Sequence, residues 1–571
     1  MRVAVIGAGV SGLPSARWGL QYGHDVVVFE ATDSIGGLWN YKADETEFGT
    51  VMKSTCVNTS KEMNSFSDFP PPSEEPNYMH NTKFMKYLKS YADHYDVTQC
   101  IRFKHRVINV VRADDYAISG RWIVHYRDNN GIAKKELFDL VAVCTGHHAR
   151  PNEAKFPGQE KFKGRIIHSH SYKHHMGYEN KKVVVVGIGN SAVDIACELS
   201  RVSDGVHLST RRGAWILVKT FDGAYPMDLW YNRRVHVWLK HLFPRLYIWV
   251  AQRRFNQEID HETFKLKPKH NIIAQHPTMT DELLAKLNNG TVQIKPNIRE
   301  FTESGVIFED GTRLEVDEVV MATGYFFDYS FLDGGKLIPT EGNRSALYKM
   351  LFPLNSSDKN TLAVMGLFQP LGTVMAMVEM QARYFYAHHA GHFQLPSTDK
   401  IREEAEKVYA ERAQRYVPSP RHTVQLDYTE YMEDLSKPMG ACPNILSYLV
   451  TDPVLAHALI FGPDVPYVYR LKGLHAHPQA RKWILEVNKR IRHIPTDNKI
   501  TKMTADYRTN NSKNLKSSEG NGKRHGFKSR AQGCIGRLMG RKQPSQTDVD
   551  LTIDNLTLKD DDQKKKVSGT L

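Results

Sequence analysis

The chain of 571 residues is 41% apolar and 24% charged; this lies in the range of folded globular proteins, excludes a wholly disordered, collagenous or multi-span membrane chain, and suggests two to four domains at roughly 150 residues each. Its formal charge of +13 is uneven, because residues 501–571 hold 15 Lys and Arg against 8 Asp and Glu, a net of +7, and the body is only mildly basic. Six cysteines at 56, 100, 144, 197, 442 and 534, no two closer than 44 residues, form no CxxC, which excludes a zinc ribbon and a thioredoxin-type dithiol and reads as reduced thiols in a cytosol-facing compartment.

The first element is a strand, RVAVI at 2–6, starting too close to Met1 for a cleavable leader. It runs into Gly7, Gly9 and Gly12 of GAGVSG and then a helical stretch to about Gly23, and the next strand, DVVVFE, ends on Glu30. Strand, glycine turn, helix and a terminal acid form a dinucleotide site. Gly7 permits the turn, Gly9 lets backbone amides approach a pyrophosphate, Gly12 lets helix pack on strand, and Glu30 accepts from a ribose hydroxyl.

The unit recurs in KKVVVVGIGNSAVDIACEL with Gly187, Gly189 and Ala192, followed by the strand GVHLST. Here the position equivalent to Glu30 is Thr210, followed by Arg211 and Arg212. Loss of the carboxylate and gain of guanidinium groups is the change a 2′-phosphate demands, so the second site is expected to take NADPH. After each unit comes a hairpin, turning at Asn130–Gly131 and at Asp310–Gly311, and a buried strand that stops at Thr145–Gly146 and at Thr323–Gly324. The plan predicts an α/β protein with two Rossmann-like dinucleotide-binding domains, one for a flavin and one for a nicotinamide.

Between the units lies FKGRIIHSHSY, with Phe162, Gly164, His168 and Tyr172 in the pattern FxGxxxHxxxY. With GGLW at 36–39, VNTSKEMNSFSDFP at 57–70, STRRGAW at 209–215, LKPKH at 266–270, ATGY at 322–325 and QPLG at 369–372, the chain resembles the flavin-containing monooxygenases of the dimethylaniline (N-oxide-forming) type from residue 1 to about 495. Residues 170 and 171 depart from the Arg and Asp of many animal relatives, and beyond about residue 500, where many relatives carry an apolar membrane anchor, the likeness stops and the sequence reads as a polar basic tail.

The resemblance implies FAD contacts from Gly7, Ala8, Gly9, Val10, Ser11, Gly12, Glu30, Gly37, Leu38, Trp39, Asn58 and Thr59. It implies NADPH contacts from Asn58, Gly187, Gly189, Ser191, Ala192, Val193, Asp194 and Arg211, and a further cofactor contact from Gln369. His168 reads as a residue of domain linkage, and no metal site is expected. The implied reaction passes hydride from NADPH to FAD and forms a C4a-hydroperoxyflavin that oxygenates nitrogen or sulfur of small lipophilic nucleophiles. Asn58, able to donate and to accept, is the candidate catalytic residue. The partners are then a small amine or sulfur compound and molecular oxygen, without nucleic acid, and a homo-oligomer stays open.

Alternatives are a Baeyer–Villiger monooxygenase acting on ketones, against which Tyr172–Lys173 counts, and an NADPH oxidase releasing hydrogen peroxide. A flavin-disulfide reductase lacks its dithiol here, and a scaffold flavoprotein would bind nucleotides without turnover.

The FAD domain is expected to be discontinuous, from 1–150 and 331–445, around an NADPH domain at 165–330 with a helical insertion at 213–290. Helices at 446–497 and a disordered basic tail at 498–571 follow. The aromatic stretch 231–255 fits either a membrane-interface surface or core packing, and Pro244 argues against one continuous helix. No apolar run reaches the ~18 residues of a spanning helix. Peripheral attachment to the cytoplasmic side of the endoplasmic reticulum, through nine basic residues between Lys513 and Lys542, is therefore expected, the cytosol being the other location considered.

Overall fold

The computed structural model describes residues 1–221, 223–419 and 422–492, and the basic tail expected from 498 lies outside the described residues. Two parallel five-stranded sheets organise the chain. In the first, Arg2–Ile6 sits at the centre, with Asp25–Glu30 and then Ile101–Phe103 on one side and Leu140–Val143 and then Leu362–Val364 on the other. The second repeats this around Lys182–Val186, with Gly205–Ser209 and Val292–Lys295 on one side and Glu318–Met321 and Arg165–His168 on the other. Both faces of such sheets are covered, which is why Val3, Val5, Val183 and Val185 are all fully buried and the strands read as unbroken apolar runs.

In each sheet the strand order reverses at the central strand. The helices that follow, Gly12–Gln21 and Asn190–Leu199, start at the carboxyl edge of that strand, the crevice where ligands of open α/β sheets bind. Each domain also carries an antiparallel three-stranded sheet. The hairpins turn where expected: Asp128 Oδ1 accepts from the N–H groups of Asn130 and Ile132 at 2.9 and 3.0 Å, and Asp310 Oδ1 from that of Thr312 at 3.0 Å. Two crossings link the domains, and there Tyr325–Phe326 pairs antiparallel with Arg150–Pro151.

Pro244 divides the aromatic stretch into two helices, Arg234–Leu242 and Pro244–Glu258, and occupies the first position of the second. Arg234, 1% exposed, ties this insertion to the C-terminal segment through Glu433 at 3.0 Å and the fully buried Asp464 at 2.8 Å. Lys240 adds a link to Asp427 at 3.2 Å. Removing one partner of such a pair strands the other charge. Arg234→Ala should therefore destabilise the fold by about 3–5 kcal/mol, read as a lowered thermal midpoint, and an unchanged midpoint would contradict the anchoring role.

Candidate functional site: one cavity shared by two nucleotide-binding motifs

The first glycine-rich turn, through Gly7 and Gly9, and the start of the helix after the second, through Asn190 and Ser191, open onto a single cavity of about 1560 Å³, whose lining does not include Gly187 and Gly189; it is larger than the roughly 300–1,000 Å³ of a site for one small ligand. Around the first glycine turn lie Gly7, Gly9, Val10, Ser11 and Glu30, with Gly37, Leu38 and Trp39 also in the wall. Gly7 stands at φ 104°, where a side chain is disfavoured, and a Cβ there would lie 2.6 Å from the Cys144 carbonyl oxygen. Across the turn, a Cβ on Gly37 would approach the Gly9 Cα to 3.2 Å. The second glycine loop is held in place by the Gly36 N–H, which donates to Ala8 O at 2.9 Å. Trp39 packs edge-on against Phe84 at 4.7 Å.

Glu30 is buried and already organised. Its Oε2 accepts the Ala8 N–H at 2.8 Å, and its Oε1 accepts the Thr32 N–H at 2.8 Å and hydroxyl at 2.7 Å. An ionised carboxylate offers about four acceptor positions, so Oε2 keeps one for a ribose hydroxyl. The helix Gly12–Gln21 has no side-chain N-cap and no acid in its first turn. Its free N–H groups and positive dipole end therefore face the cavity, as a pyrophosphate requires. These residues fit FAD.

The nicotinamide side fits as well. Ser191 and Asp194 line the cavity at the start of Asn190–Leu199, whose N-terminus is likewise uncapped and free of first-turn acids. Ala192 and Val193 are fully buried, and the Val193 N–H closes the first turn onto Gly189 O at 3.1 Å, so Val193 serves packing. Burial pushes the Asp194 carboxyl up to about 6, with Lys219 opposing. At the acid position of the first unit, Thr210 instead accepts the Gly213 N–H through Oγ1 at 3.1 Å. Arg211 and Arg212 are exposed just beyond it, outside the cavity wall.

Asn58 and Thr59 line the cavity between two anchored neighbours. The Val57 N–H donates to Met79 O at 2.8 Å. Ser60, fully buried, gives its N–H and hydroxyl to Asp228 Oδ2 at 2.7 and 2.9 Å. Thr59 Oγ1 approaches Asn58 Oδ1 at 3.4 Å. Gln369 lines the wall from the strand Gln369–Leu371. His168, at the end of the second sheet, accepts the His170 N–H at Nδ1, 3.1 Å away, and lies beside the Tyr325 ring at 5.3 Å. Burial lowers its pKa to about 4, so it is neutral at pH 7, and Tyr172 donates to Glu198 at 2.7 Å. Among the described residues no His, Cys, Asp and Glu group could hold a metal.

Sequence reasoning missed Asp228, Lys219 and the apolar chamber of Met227, Tyr231, Tyr247, Ala251, Phe255 and Ile272. The spacing of 247, 251 and 255 was a usable signal, since residues four apart share a helix face.

A profile of the "Flavin-binding monooxygenase-like" family matches residues 1–514. The chain belongs to this family. It is 44% identical to flavin-containing monooxygenase 5 of Homo sapiens over 497 residues, 86% of this chain and 92% of the relative. It is 40% identical to dimethylaniline monooxygenase [N-oxide-forming] 2 of Rattus norvegicus over 495 residues, again 86% and 92%. The fold is shared with the S-allyl-L-cysteine S-oxygenase of Allium sativum, at TM-score 0.60 and 23% identity over 85% of this chain and 98% of that one. It is also shared with NADP+-bound cyclohexanone monooxygenase of Rhodococcus sp. Phi1, at TM-score 0.56 and 18% identity over 76% and 96%. The protein is a flavin-containing monooxygenase whose cofactors are FAD and NADPH.

One prediction concerns the choice of nicotinamide. NADPH should reduce the flavin at a lower half-saturation than NADH, and Arg211→Ala should shrink the ratio about tenfold or more, the worth of a charge-assisted phosphate contact. Equal use of both nucleotides by the unaltered enzyme would contradict the role given to Thr210, Arg211 and Arg212.

Proposed function

We propose that this flavin-containing monooxygenase oxygenates nitrogen or sulfur of small lipophilic nucleophiles, with Asn58 as its catalytic residue. When bound, FAD would supply the oxygen activation that the family resemblance implies. The observation that supports the reading is the place of Asn58 in the wall of the cavity that residues of both nucleotide-binding units line, between the backbone anchors of Val57 and Ser60. A neutral amide there can donate a hydrogen bond to a nicotinamide or a bound oxygen species and accept one as well, without adding a further charge to the cavity. The chamber beyond it is walled by Tyr247, Ala251, Phe255 and Ile272, which suits an uncharged lipophilic substrate.

Asn58→Leu should retain FAD and accept hydride from NADPH, yet lose most oxygenated product and release hydrogen peroxide in its place. Product formation still matching NADPH consumption would overturn the assignment.

We further propose peripheral attachment to the cytoplasmic side of the endoplasmic reticulum membrane. Among the described residues no helix is long and apolar enough to cross a membrane. The helices Arg234–Leu242 and Pro244–Glu258 leave Leu242 70%, Leu246 58% and Trp249 58% exposed, beside the exposed Arg245 and Arg253. The neighbouring helices Ile445–Thr451 and Pro453–Phe461 expose Leu446, Val450 and Val454. Apolar residues rimmed by cations suit the boundary of an anionic leaflet. Leu246→Asp combined with Trp249→Asp should weaken sedimentation with anionic vesicles severalfold at unchanged turnover of a soluble amine. Undiminished sedimentation would count against this face.

A further inference from the structure

Asp228 belongs to the helical insertion, in the short helix Met227–Tyr231, yet its carboxylate is spent on a loop 168 residues away in sequence. One oxygen, Oδ2, takes both the N–H and the hydroxyl of Ser60, while Oδ1 takes the Leu229 N–H at 3.0 Å. All three donors are neutral, and among the described residues no cation forms an ion pair with Asp228. A buried carboxylate left without a counter-charge is expensive, and burial pushes its pKa up to about 6 against the opposing Ser60 bonds. Such a group marks a place where something other than stability is served.

The loop has one free stretch. Val57 is tied to Met79 O, Ser60 to Asp228, and Lys61 Nζ donates to the carbonyls of Ser73 and Glu75 at 2.5 and 2.6 Å. Glu62 is held by Arg490 at 2.8 Å and Tyr467 at 2.9 Å. Asn58 and Thr59, between the Val57 and Ser60 anchors, both line the cavity, and the side-chain bond given for them is the one they share. Of these anchors, only Asp228 belongs to an element that also walls the substrate chamber, because Met227 and Tyr231 flank it and line the same cavity.

We infer that Asp228 is a positioning residue for oxygenation, fixing the Asn58–Thr59 segment through Ser60 so that the state of the substrate chamber bears on the catalytic amide. This rests on the reading of Asn58 given above. The requirement is for an acceptor at Oδ2. Asparagine at 228 can still accept from Ser60 through its carbonyl oxygen, whereas alanine leaves both Ser60 donors buried without a partner.

The test uses the FAD-loaded enzyme and measures product formed per NADPH consumed, together with hydrogen–deuterium exchange of the peptide spanning 57–63. Asp228→Ala should raise the hydrogen peroxide fraction at least fivefold and speed exchange of that peptide about tenfold. Asp228→Asn should recover most of the coupling. Ser60→Ala, a milder change that keeps the N–H bond, should fall between them and guards against misfolding of the alanine variant. Combining Asp228→Ala with Asn58→Leu should add little to Asn58→Leu alone, since the two act in series. If Asn58→Leu uncouples the enzyme but Asp228→Ala and Ser60→Ala leave coupling and exchange unchanged, the clamp is wrong and the Asn58 reading stands. If Asn58→Leu stays coupled, the Asn58 reading falls and takes the clamp's function with it. Asp228→Asn as uncoupled as Asp228→Ala would also overturn the proposal.

Discussion

Two helix N-termini open onto one cavity, and both keep their amide groups free of capping side chains and first-turn acids. Each concentrates partial positive charge where a pyrophosphate can sit. Neither would be useful alone, since hydride transfer needs the two nucleotides to meet. Much of the remaining architecture serves that meeting. The glycine loop at 36–37 closes over the first turn, the linkers at 150–151 and 325–326 pair with each other, and the loop at 57–60 places Asn58 in the cavity wall.

The insertion between the second sheet's strands has two jobs, assigned by helix periodicity. Tyr247, Ala251 and Phe255 turn inward to the chamber, while Leu246, Trp249 and Val250 turn outward. Its buried pairs through Arg234 and Lys240 fasten it to the C-terminal segment. The ledge is therefore fixed while its two apolar faces meet different surroundings.

The sheets were legible because parallel strands buried on both faces must be continuous apolar runs, and the two copies share one order of strand, turn, helix and hairpin. The turns were legible because Asn130–Gly131 and Asp310–Gly311 have few conformational alternatives, while the bonds of Asp128 that brace the first emerge only in the structure. Gly7, Gly9, Gly12 and Glu30 were candidates from the same local pattern, whereas Leu38, Trp39, Asn58 and Thr59 entered only through the family resemblance. Asp228 was not a candidate, because its bond to Ser60 joins segments far apart in the chain and a lone Asp after YPM carries no signature. For 231–255 the sequence offered a membrane-interface surface and core packing as competing readings, and the helices bury one face while leaving the other exposed, a division that composition alone does not express. The sequence made Arg211 a candidate phosphate contact, but its exposed place outside the cavity wall emerges only with the turn that Thr210 caps.

The central claim is that one cavity brings NADPH to FAD and then protects what the reduced flavin makes of oxygen. Rapid-mixing absorbance on the FAD-loaded enzyme tests it most directly. NADPH is added without oxygen, oxygen follows, and flavin absorbance is recorded with and without a tertiary amine. The account predicts fast bleaching by NADPH, a slow return of oxidised flavin in oxygen alone, and a markedly faster return accompanied by stoichiometric oxygenated product when the amine is present. Immediate reoxidation with hydrogen peroxide whether or not the amine is present, or no bleaching by NADPH, would contradict it.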